Sequence, residues 1–224
     1  KDPAIDDENQ ILYVSEGFPG GKRVIAFDIR PEVLKNGMDA VDVIGHLDDF
    51  GQDDFNKRVA NDRLDARITT SARALALDPI DHRLWVADEY NNRVMGFQLD
   101  RQNRLQQNEA QWVFGQKDFY SATAQRSRTG MKIPLAVAYD VVDKRLYVGD
   151  GWNDRVLIYE ADPKQLKPGG DQPAIAVLGQ ADFESQDPRS TRNRFNFKVD
   201  VGRGIASNML PIGIAFDAKR RRAF

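Results

Sequence analysis

The sequence predicts an all-β fold of repeated four-stranded antiparallel sheets, and three observations support this prediction. The segment 75–100 recurs at 136–162, with Asp78 matching Asp140 and Arg93 matching Arg155. Each copy contains short runs rich in Val, Ile, Leu, Tyr and Phe, separated by Gly, Pro, Asn or Asp, as strands are. No segment reads as a long amphipathic helix. Four consecutive strands in each repeated unit are typical of a β-propeller blade.

The individual strands follow from this repeat. An earlier copy occupies residues 11–29, and a further copy begins at 213–224. In the third unit we expect strands at 135–140, 145–149, 155–160 and 174–178. A second element recurs between the copies, as AVDVIGHLDDF at 40–50, QWVFGQKDF at 111–119 and AIAVLGQADF at 174–183.

We interpret residues 1–224 as one partial propeller with blade periods of 1–74, 75–136 and 137–212 and the start of a fourth at 213–224. About three blades are therefore present, whereas propeller rings typically have four to eight. We expect the chain to be part of a six-bladed ring that needs its remaining blades, or another chain, to close. Self-assembly of two three-bladed halves is the alternative.

The composition narrows the classes of function. The chain has 32 Lys and Arg, 34 Asp and Glu, a formal net charge of −2 and no Cys. No Cys means no disulfide, thiolate metal site or cysteine nucleophile. The net charge disfavours binding of nucleic acid, and no apolar run approaches the roughly 18 residues that span a bilayer. Hydrolase elbows, P-loops and dinucleotide fingerprints do not occur in the sequence, so we assign no catalytic residue.

Acid and arginine residues recur at the ends of neighbouring strands. An acid ends each second strand, and an arginine begins each third strand, in the pairs Glu16/Arg23, Asp88/Arg93 and Asp150/Arg155. We interpret these pairs as structural, because features present in every blade serve the frame, while function resides in sites grafted onto it. A ring of ligand-binding groups is the alternative.

Two asparagines, Asn91 and Asn153, fall inside the same turns, and we expect them to bond the local backbone. No cofactor is predicted. Calcium stays a weak alternative, because Asp and Asn oxygens cluster here without the spacing of a known calcium loop. The two histidines, His46 and His82, are expected at the surface and not as metal ligands.

Long connections between the blades are the features that differ from a minimal repeat. They run over 47–71, 117–133 and 181–209, far above the usual four to six residues. In a four-stranded blade these connections emerge on the same face as the turns that carry Phe18, Tyr90 and Trp152. Arginines in the connections, namely Arg126, Arg128, Arg192 and Arg194, together with those aromatics form the candidate binding face. The alternative is that the arginines fix their own loops to neighbouring blades.

The repeat resembles the NHL family of β-propellers, particularly bacterial members with long loops between blades. The resemblance rests on two patterns. P-x-x-x-A-x-D occurs at 134–140 and 211–217, and L-Y/W-V-x-D-x-x-N-x-R-V is complete around Asp88, Asn91 and Arg93 and around Asp150 and Arg155. The first copy departs from the pattern, since Glu16 replaces Asp and Phe18-Pro19-Gly20-Gly21 replaces the turn with Asn. The resemblance implies a binding scaffold and suggests an extracytoplasmic location.

The leading hypothesis is a noncatalytic scaffold that binds another protein or a polymeric ligand through its long-loop face. A second hypothesis is a metal-dependent hydrolase or lyase whose catalytic groups lie in further blades. RNA binding on the arginine-bearing face is a third, which the net charge disfavours.

Overall fold

The computed structural model describes residues 2–16, 22–46, 54–55, 64–67, 71–185 and Ile214, together with the backbone of four short strands after residue 197. Within these ranges the protein is all-β, and the helical elements are two short 3₁₀ turns, Glu89–Asn91 and Gly151–Asn153. The described ranges contain no helix with the length and apolar character needed to cross a bilayer.

Three antiparallel four-stranded units follow one another along the chain. The first blade consists of β1 (Ala4–Asp6), β2 (Ile11–Glu16), β3 (Arg23–Asp28) and β4 (Asp42–Ile44). The second consists of β5 (Ala72–Asp78), β6 (Arg83–Asp88), β7 (Arg93–Gln98) and β8 (Trp112–Phe114). The third consists of β9 (Pro134–Asp140), β10 (Arg145–Asp150), β11 (Arg155–Glu160) and β13 (Ala174–Leu178). The remaining strands are β12 (Gly169–Gln172), β14 (Lys198–Asp200), β15 (Ala206–Asn208), β16 (Phe216–Asp217) and β17 (Arg222–Ala223).

These units are blades of a β-propeller. Within each blade the strands pair in chain order, and the first strands of successive blades lie next to one another, β1 by β5, β5 by β9 and β9 by β16. Asp2 also forms a parallel bridge with Ala74, so neighbouring blades run in the same sense. The predicted all-β fold with about three four-stranded antiparallel blades is confirmed, and the sheets of the described residues do not close a ring.

The second blade has a fifth strand that the sequence pattern does not predict. β12 belongs to the connection between the third and fourth strands of the third blade, yet it pairs in parallel with β8, the outer strand of the second blade. Gly169 N–H donates to Gln111 O at 2.8 Å, and Asp171 N–H donates to Gln116 O at 2.9 Å. The corresponding connection of the second blade also reaches back to the preceding blade, since Arg104 Nε donates to Asp42 Oδ2 of the first blade at 2.7 Å.

The hydrophobic core lies between the blades. Trp85, Phe114 and Tyr159 pack in the interface of the second and third blades, with ring centroids 5.7 Å apart for Trp85 and Phe114 and 4.8 Å for Phe114 and Tyr159. Gly96 is required beside Trp85, because a Cβ on this glycine would lie 2.3 Å from the indole ring. The apolar side chains of the core are thus concentrated in the interfaces between blades.

Buried polar groups fix the register between blades. Asn103 of the second blade donates to Asp6 Oδ2 of the first at 2.6 Å, and its carbonyl accepts from Tyr13 Oη at 2.5 Å. Burial raises the pKa of Asp6, but hydrogen bonds from Asn103, Asn9 and two backbone N–H groups outweigh burial and hold that pKa below its usual value.

Arg83 fixes the interface of the second and third blades. Its side chain is fully buried, its Nε donates to Asp78 Oδ2 at 2.9 Å, and its Nη1 donates to Ala161 O at 2.7 Å. Its Nη2 donates to Tyr139 Oη at 3.1 Å, and the guanidinium lies 5.1 Å from the centroid of the Trp85 ring. The buried guanidinium therefore bonds a carboxylate, a backbone carbonyl and a hydroxyl group, and it also lies beside an aromatic ring.

Candidate functional site

The acid and arginine pairs lie at one end of the blades, where each second strand turns into the third. The strand register places Asp88 opposite Arg93 and Asp150 opposite Arg155. Arg93 Nε donates to Asp88 Oδ2 at 2.8 Å, Arg155 Nε donates to Asp150 Oδ2 at 2.7 Å, and all four side chains are 0% exposed. Glu16 and Arg23 form the same bond at 2.7 Å in the first blade, but they are partly exposed.

The asparagine of each turn joins this pair. Asn91 Nδ2 donates to Asp88 Oδ2 at 2.8 Å, and Asn153 Nδ2 donates to Asp150 Oδ2 at 2.9 Å. Burial raises the pKa of Asp150, while Arg155 and the bonds from Asn153 and the Lys132 N–H oppose that rise. Each carboxylate thus accepts hydrogen bonds from one guanidinium and one asparagine amide.

Each arginine also holds the loop that follows the recurring G-Q-x-x-F element. Arg93 Nη1 donates to Phe119 O at 2.6 Å, and Arg155 Nη1 donates to Phe183 O. Arg155 Nη2 further bonds Ser127 O at 3.0 Å and Gly130 O at 2.9 Å. The guanidinium therefore joins a hairpin turn to the connection between two blades.

In the first blade the equivalent loop residue is Phe55, because Arg23 Nη1 donates to Phe55 O. Gly51-Gln52-Asp53-Asp54-Phe55 repeats in sequence the motif Gly-Gln-x-x-Phe that is found at 115–119 and 179–183. A search for this pentapeptide alone would have found Phe55.

The glutamines of the Gly-Gln-x-x-Phe motif also form hydrogen bonds to these turns. Gln116 Nε2 donates to Asn92 O at 2.8 Å, and Gln180 Nε2 donates to Asp154 O at 2.9 Å. Asn92 and Asp154 each follow a 3₁₀ turn with a left-handed backbone, at φ 52° and 51°. The turns that carry the candidate aromatics are consequently held in one conformation by buried hydrogen bonds.

We define the turn face as the two 3₁₀ turns and the connection 115–133. Tyr90 is 52% exposed and Trp152 is 51% exposed, at equivalent positions of the two turns. Lys132 Nζ lies 5.1 Å from the centroid of the Trp152 ring. Tyr120 is 69% exposed on the connection. The turn face thus presents three aromatic side chains on backbone that the buried bonds hold in place.

The two candidate arginines of the connection are exposed, and they differ in what they contact. Arg128 Nε donates to Ala174 O at 2.7 Å, and its guanidinium lies 5.6 Å from the centroid of the Phe183 ring. Arg128 therefore holds its own connection against the third blade, through a carbonyl and an aromatic ring rather than through a carboxylate. Arg126 lies on the exposed surface of the same connection.

Three candidate residues, Phe18, Arg192 and Arg194, lie outside the described residues. The sequence reasoning also did not single out Tyr120 and Lys132, which lie on the turn face. Tyr120 follows Phe119 of the recurring motif directly, so inspection of the residue after each motif would have identified it.

The histidines divide between two environments. His46 is 2% exposed, so the expectation that it lies on the surface is wrong. It occupies the position that Gln116 and Gln180 occupy in the other blades, which is an interior position in all three. His82 is half-buried, with its Nδ1 2.7 Å from Asn103 Oδ1. In the part of the chain that the structure describes, no three His, Asp or Glu side chains are grouped to hold a metal ion.

The fold and the blade order define the chain as a β-propeller protein. A comparison with known protein families finds no match, and a search of curated proteins finds none either.

Solved structures that resemble the chain include U3-55K, at 9% identity and a TM-score of 0.46 over 80% of this chain and 38% of the other. A chain of the nidogen/laminin complex matches at 14% identity and a TM-score of 0.49, over 99% and 54%. A protein from Lactobacillus plantarum matches at 14% identity and a TM-score of 0.47, over 79% and 41%. The chain thus spans from about two fifths to just over half of the length of these proteins.

Proposed function

We propose that the chain is a noncatalytic NHL-type propeller whose turn face binds another protein or a polymeric ligand. This proposal rests on one observation, the two half-exposed aromatic residues Tyr90 and Trp152. They occupy equivalent positions of two turns that buried hydrogen bonds hold in place. Tyrosine and tryptophan are enriched among the residues that dominate binding energy at interfaces. Aromatic side chains on a fixed backbone lose little conformational freedom on binding.

The charges on the turn face favour a partner of mixed polarity. Lys132 Nζ lies 5.1 Å from the centroid of the Trp152 ring, and Arg126, Glu89 and Asp118 also belong to the turn face. Because both signs are present, the aromatic residues provide the affinity in this proposal, and the charged residues orient the partner. This arrangement supports a protein partner more than a nucleic acid, which requires a strongly basic surface.

The proposal is tested by capture of partners on the immobilised protein, with quantitative mass spectrometry of what is retained. The Tyr90→Ala/Trp152→Ala variant is compared with wild type and with a matched control, Ile80→Ala/Val142→Ala. Ile80 and Val142 are also exposed apolar residues at equivalent positions, 59% and 54% exposed, but in the turns between first and second strands.

We expect the specific partners to be lost from the Tyr90→Ala/Trp152→Ala variant and retained by the control. The proposal is contradicted if every partner stays bound to the Tyr90→Ala/Trp152→Ala variant. It is also contradicted if the complete protein binds a small molecule tightly through a metal in its central channel.

The NHL resemblance also leads us to propose an extracytoplasmic location. Fractionation of the source cells, with immunodetection of the protein in each fraction, tests this part separately. Detection in the cytoplasmic fraction alone would contradict the proposed location without affecting the proposed binding face.

A further inference from the structure

The two 3₁₀ turns of the turn face differ in charge, although they occupy equivalent positions of the repeat. Because Asp88 matches Asp150, Glu89 is the counterpart of Gly151. Ser71 Oγ donates to Glu89 Oε2 at 3.1 Å, so this carboxylate already accepts a hydrogen bond beside its own turn. The turn of the third blade has a glycine at this position and therefore lacks the carboxylate.

A lysine lies beside the turn of the third blade instead. Trp152 N–H donates to Lys132 O at 3.1 Å, and Lys132 N–H donates to Asp150 Oδ1 at 2.6 Å. The Lys132 Nζ is 5.1 Å from the centroid of the half-exposed Trp152 ring. Among the described residues, no carboxylate lies within ion-pair distance of this Nζ. The counterpart of Lys132 in the second blade is Thr70, so the positive charge is specific to the third blade.

The backbone next to this lysine has an unfavourable conformation. Ile133 has a φ of 53°, in the left-handed region, which a β-branched residue rarely adopts. Its N–H donates to Asn92 Oδ1 at 2.9 Å, and its carbonyl accepts from Gly151 N–H at 3.2 Å. Asn92 ends the turn that carries Tyr90. The backbone at 132–133 is thus bonded to both aromatic turns, and strained backbone of this kind is concentrated at functional sites.

We propose that Lys132 and Trp152 form a subsite for an acidic side chain, Asp or Glu, of a protein partner. This inference rests on the proposed function of the turn face. The ammonium group provides a charge-assisted hydrogen bond to the carboxylate. The indole ring provides an apolar surface for the methylene groups of the same side chain. The bonds at 132–133 hold both groups in place before the partner binds, which lowers the entropy that binding costs.

A phosphate of a nucleic acid is the competing ligand for this ammonium group. Glu89 and Asp118 belong to the same face, and their negative charges repel a strand that carries a phosphate at every nucleotide. A single carboxylate on a protein meets one positive charge without this repulsion. The charges therefore favour an acidic side chain of a protein.

Selection from a phage-displayed library of random peptides tests the proposal on the protein at its native length. The targets are wild type, Lys132→Gln and a matched control, Lys164→Gln. Lys164 is exposed on the connection between the third and fourth strands of the third blade, which begins at the end opposite to the turn face. We expect wild type and the control to enrich peptides that contain Asp or Glu, and Lys132→Gln to lose this enrichment.

The affinity of one selected peptide is then compared with that of the same peptide in which the acid is replaced by its amide. For wild type and Lys164→Gln, the amide peptide should bind about tenfold more weakly, as expected for loss of a hydrogen bond to a charged group. For Lys132→Gln, the two peptides should bind equally, because the partner of the carboxylate is absent.

Selected peptides without acidic residues would overturn this proposal. Equal effects of Lys132→Gln and Lys164→Gln would also overturn it. If a single-stranded oligouridine RNA binds more tightly than the acidic peptide and loses this affinity in Lys132→Gln, the ammonium group is a phosphate site and the proposal is wrong.

The Tyr90→Ala/Trp152→Ala variant separates these outcomes from failure of the proposed function. If the selected peptides lack acids but still require Tyr90 and Trp152, the turn face remains the binding face and only the acidic subsite is wrong. If the variant binds the selected peptides as wild type does, the proposed function is contradicted. Failure of wild type to select any peptide would count against both proposals.

Discussion

At the scale of individual residues, the repeated acid and arginine pairs are buried. Asp88 and Arg93 are fully buried and bond one another, as do Asp150 and Arg155, and each arginine also donates to the carbonyl of a loop phenylalanine. A buried charge that loses its partner is strongly destabilising, because its desolvation is no longer compensated. We therefore expect these residues to hold the turns in place, a structural role that would account for their repetition.

A variant that lacks one of the buried arginines should unfold at a lower denaturant concentration than wild type. We expect Arg93→Ala or Arg155→Ala to lower the free energy of unfolding by about 3–5 kcal/mol. Arg23→Ala is the matched control, and it should cost about 1 kcal/mol or less because the Glu16/Arg23 pair is partly exposed. Urea unfolding followed by tryptophan fluorescence measures all three variants. Equal losses in the buried and the exposed pairs would contradict this account.

A second prediction at this scale concerns the carboxylate of Asp6. Its folded-state pKa is lowered, so its contribution to stability is present above the ordinary carboxyl pKa and is lost as the pH falls through the folded-state value. Asp6→Asn should therefore cost about 1.5–3 kcal/mol near neutral pH, as loss of a hydrogen bond to a charged group does. The cost should decrease when urea unfolding is repeated at about pH 3. If the loss of unfolding free energy in Asp6→Asn does not depend on pH, the charge of Asp6 does not contribute to stability.

At the scale of the element, the strands were predictable and the fifth strand of the second sheet was not. Strands such as β10 and β11 are short apolar runs between turn residues, and their predicted bounds agree with the structure within one residue. β12 consists of Gly-Gly-Asp-Gln, which has no alternation and low strand propensity. Its pairing depends on the position of β8 in space, which local sequence does not specify. The position of Phe55 was accessible from the repeated pentapeptide.

The position of β12 leads to a prediction at Gly170. A Cβ at this residue would lie 2.4 Å from the Lys117 carbonyl oxygen, so Gly170→Ala must displace the strand from β8. We expect a loss of about 1–3 kcal/mol, typical of overpacking, and faster hydrogen exchange of the amides at 112–114. Lys167 is exposed on the same connection, so Lys167→Ala is the control. It should change neither the free energy of unfolding nor the hydrogen exchange at 112–114. Unchanged exchange in Gly170→Ala would show that β12 does not protect β8.

At the scale of the whole molecule, one part of the frame lies at the end of the blades that is opposite to the candidate site. Arg83 is buried between blades at the end where first strands turn into second strands, whereas Trp152 is exposed at the opposite end. The sequence predicted the fold because its strands and turns repeat, whereas the exposure of a side chain depends on how the connections pack, which the repeat does not specify. Tyr120 illustrates this, since its exposure depends on how the connection 115–133 packs between two blades.

The separation between frame and site is tested most directly by measuring stability and partner affinity on the same two variants. Arg83→Lys should lower the melting temperature by about 5 °C or more, because it removes donors to Tyr139 and Ala161, and it should bind the partner normally at temperatures where it is folded. Trp152→Ala should keep the melting temperature and weaken partner binding by about 2 kcal/mol or more, as substitution of a central aromatic does. If Trp152→Ala keeps full affinity while folded Arg83→Lys loses it, the turn face is not the binding site.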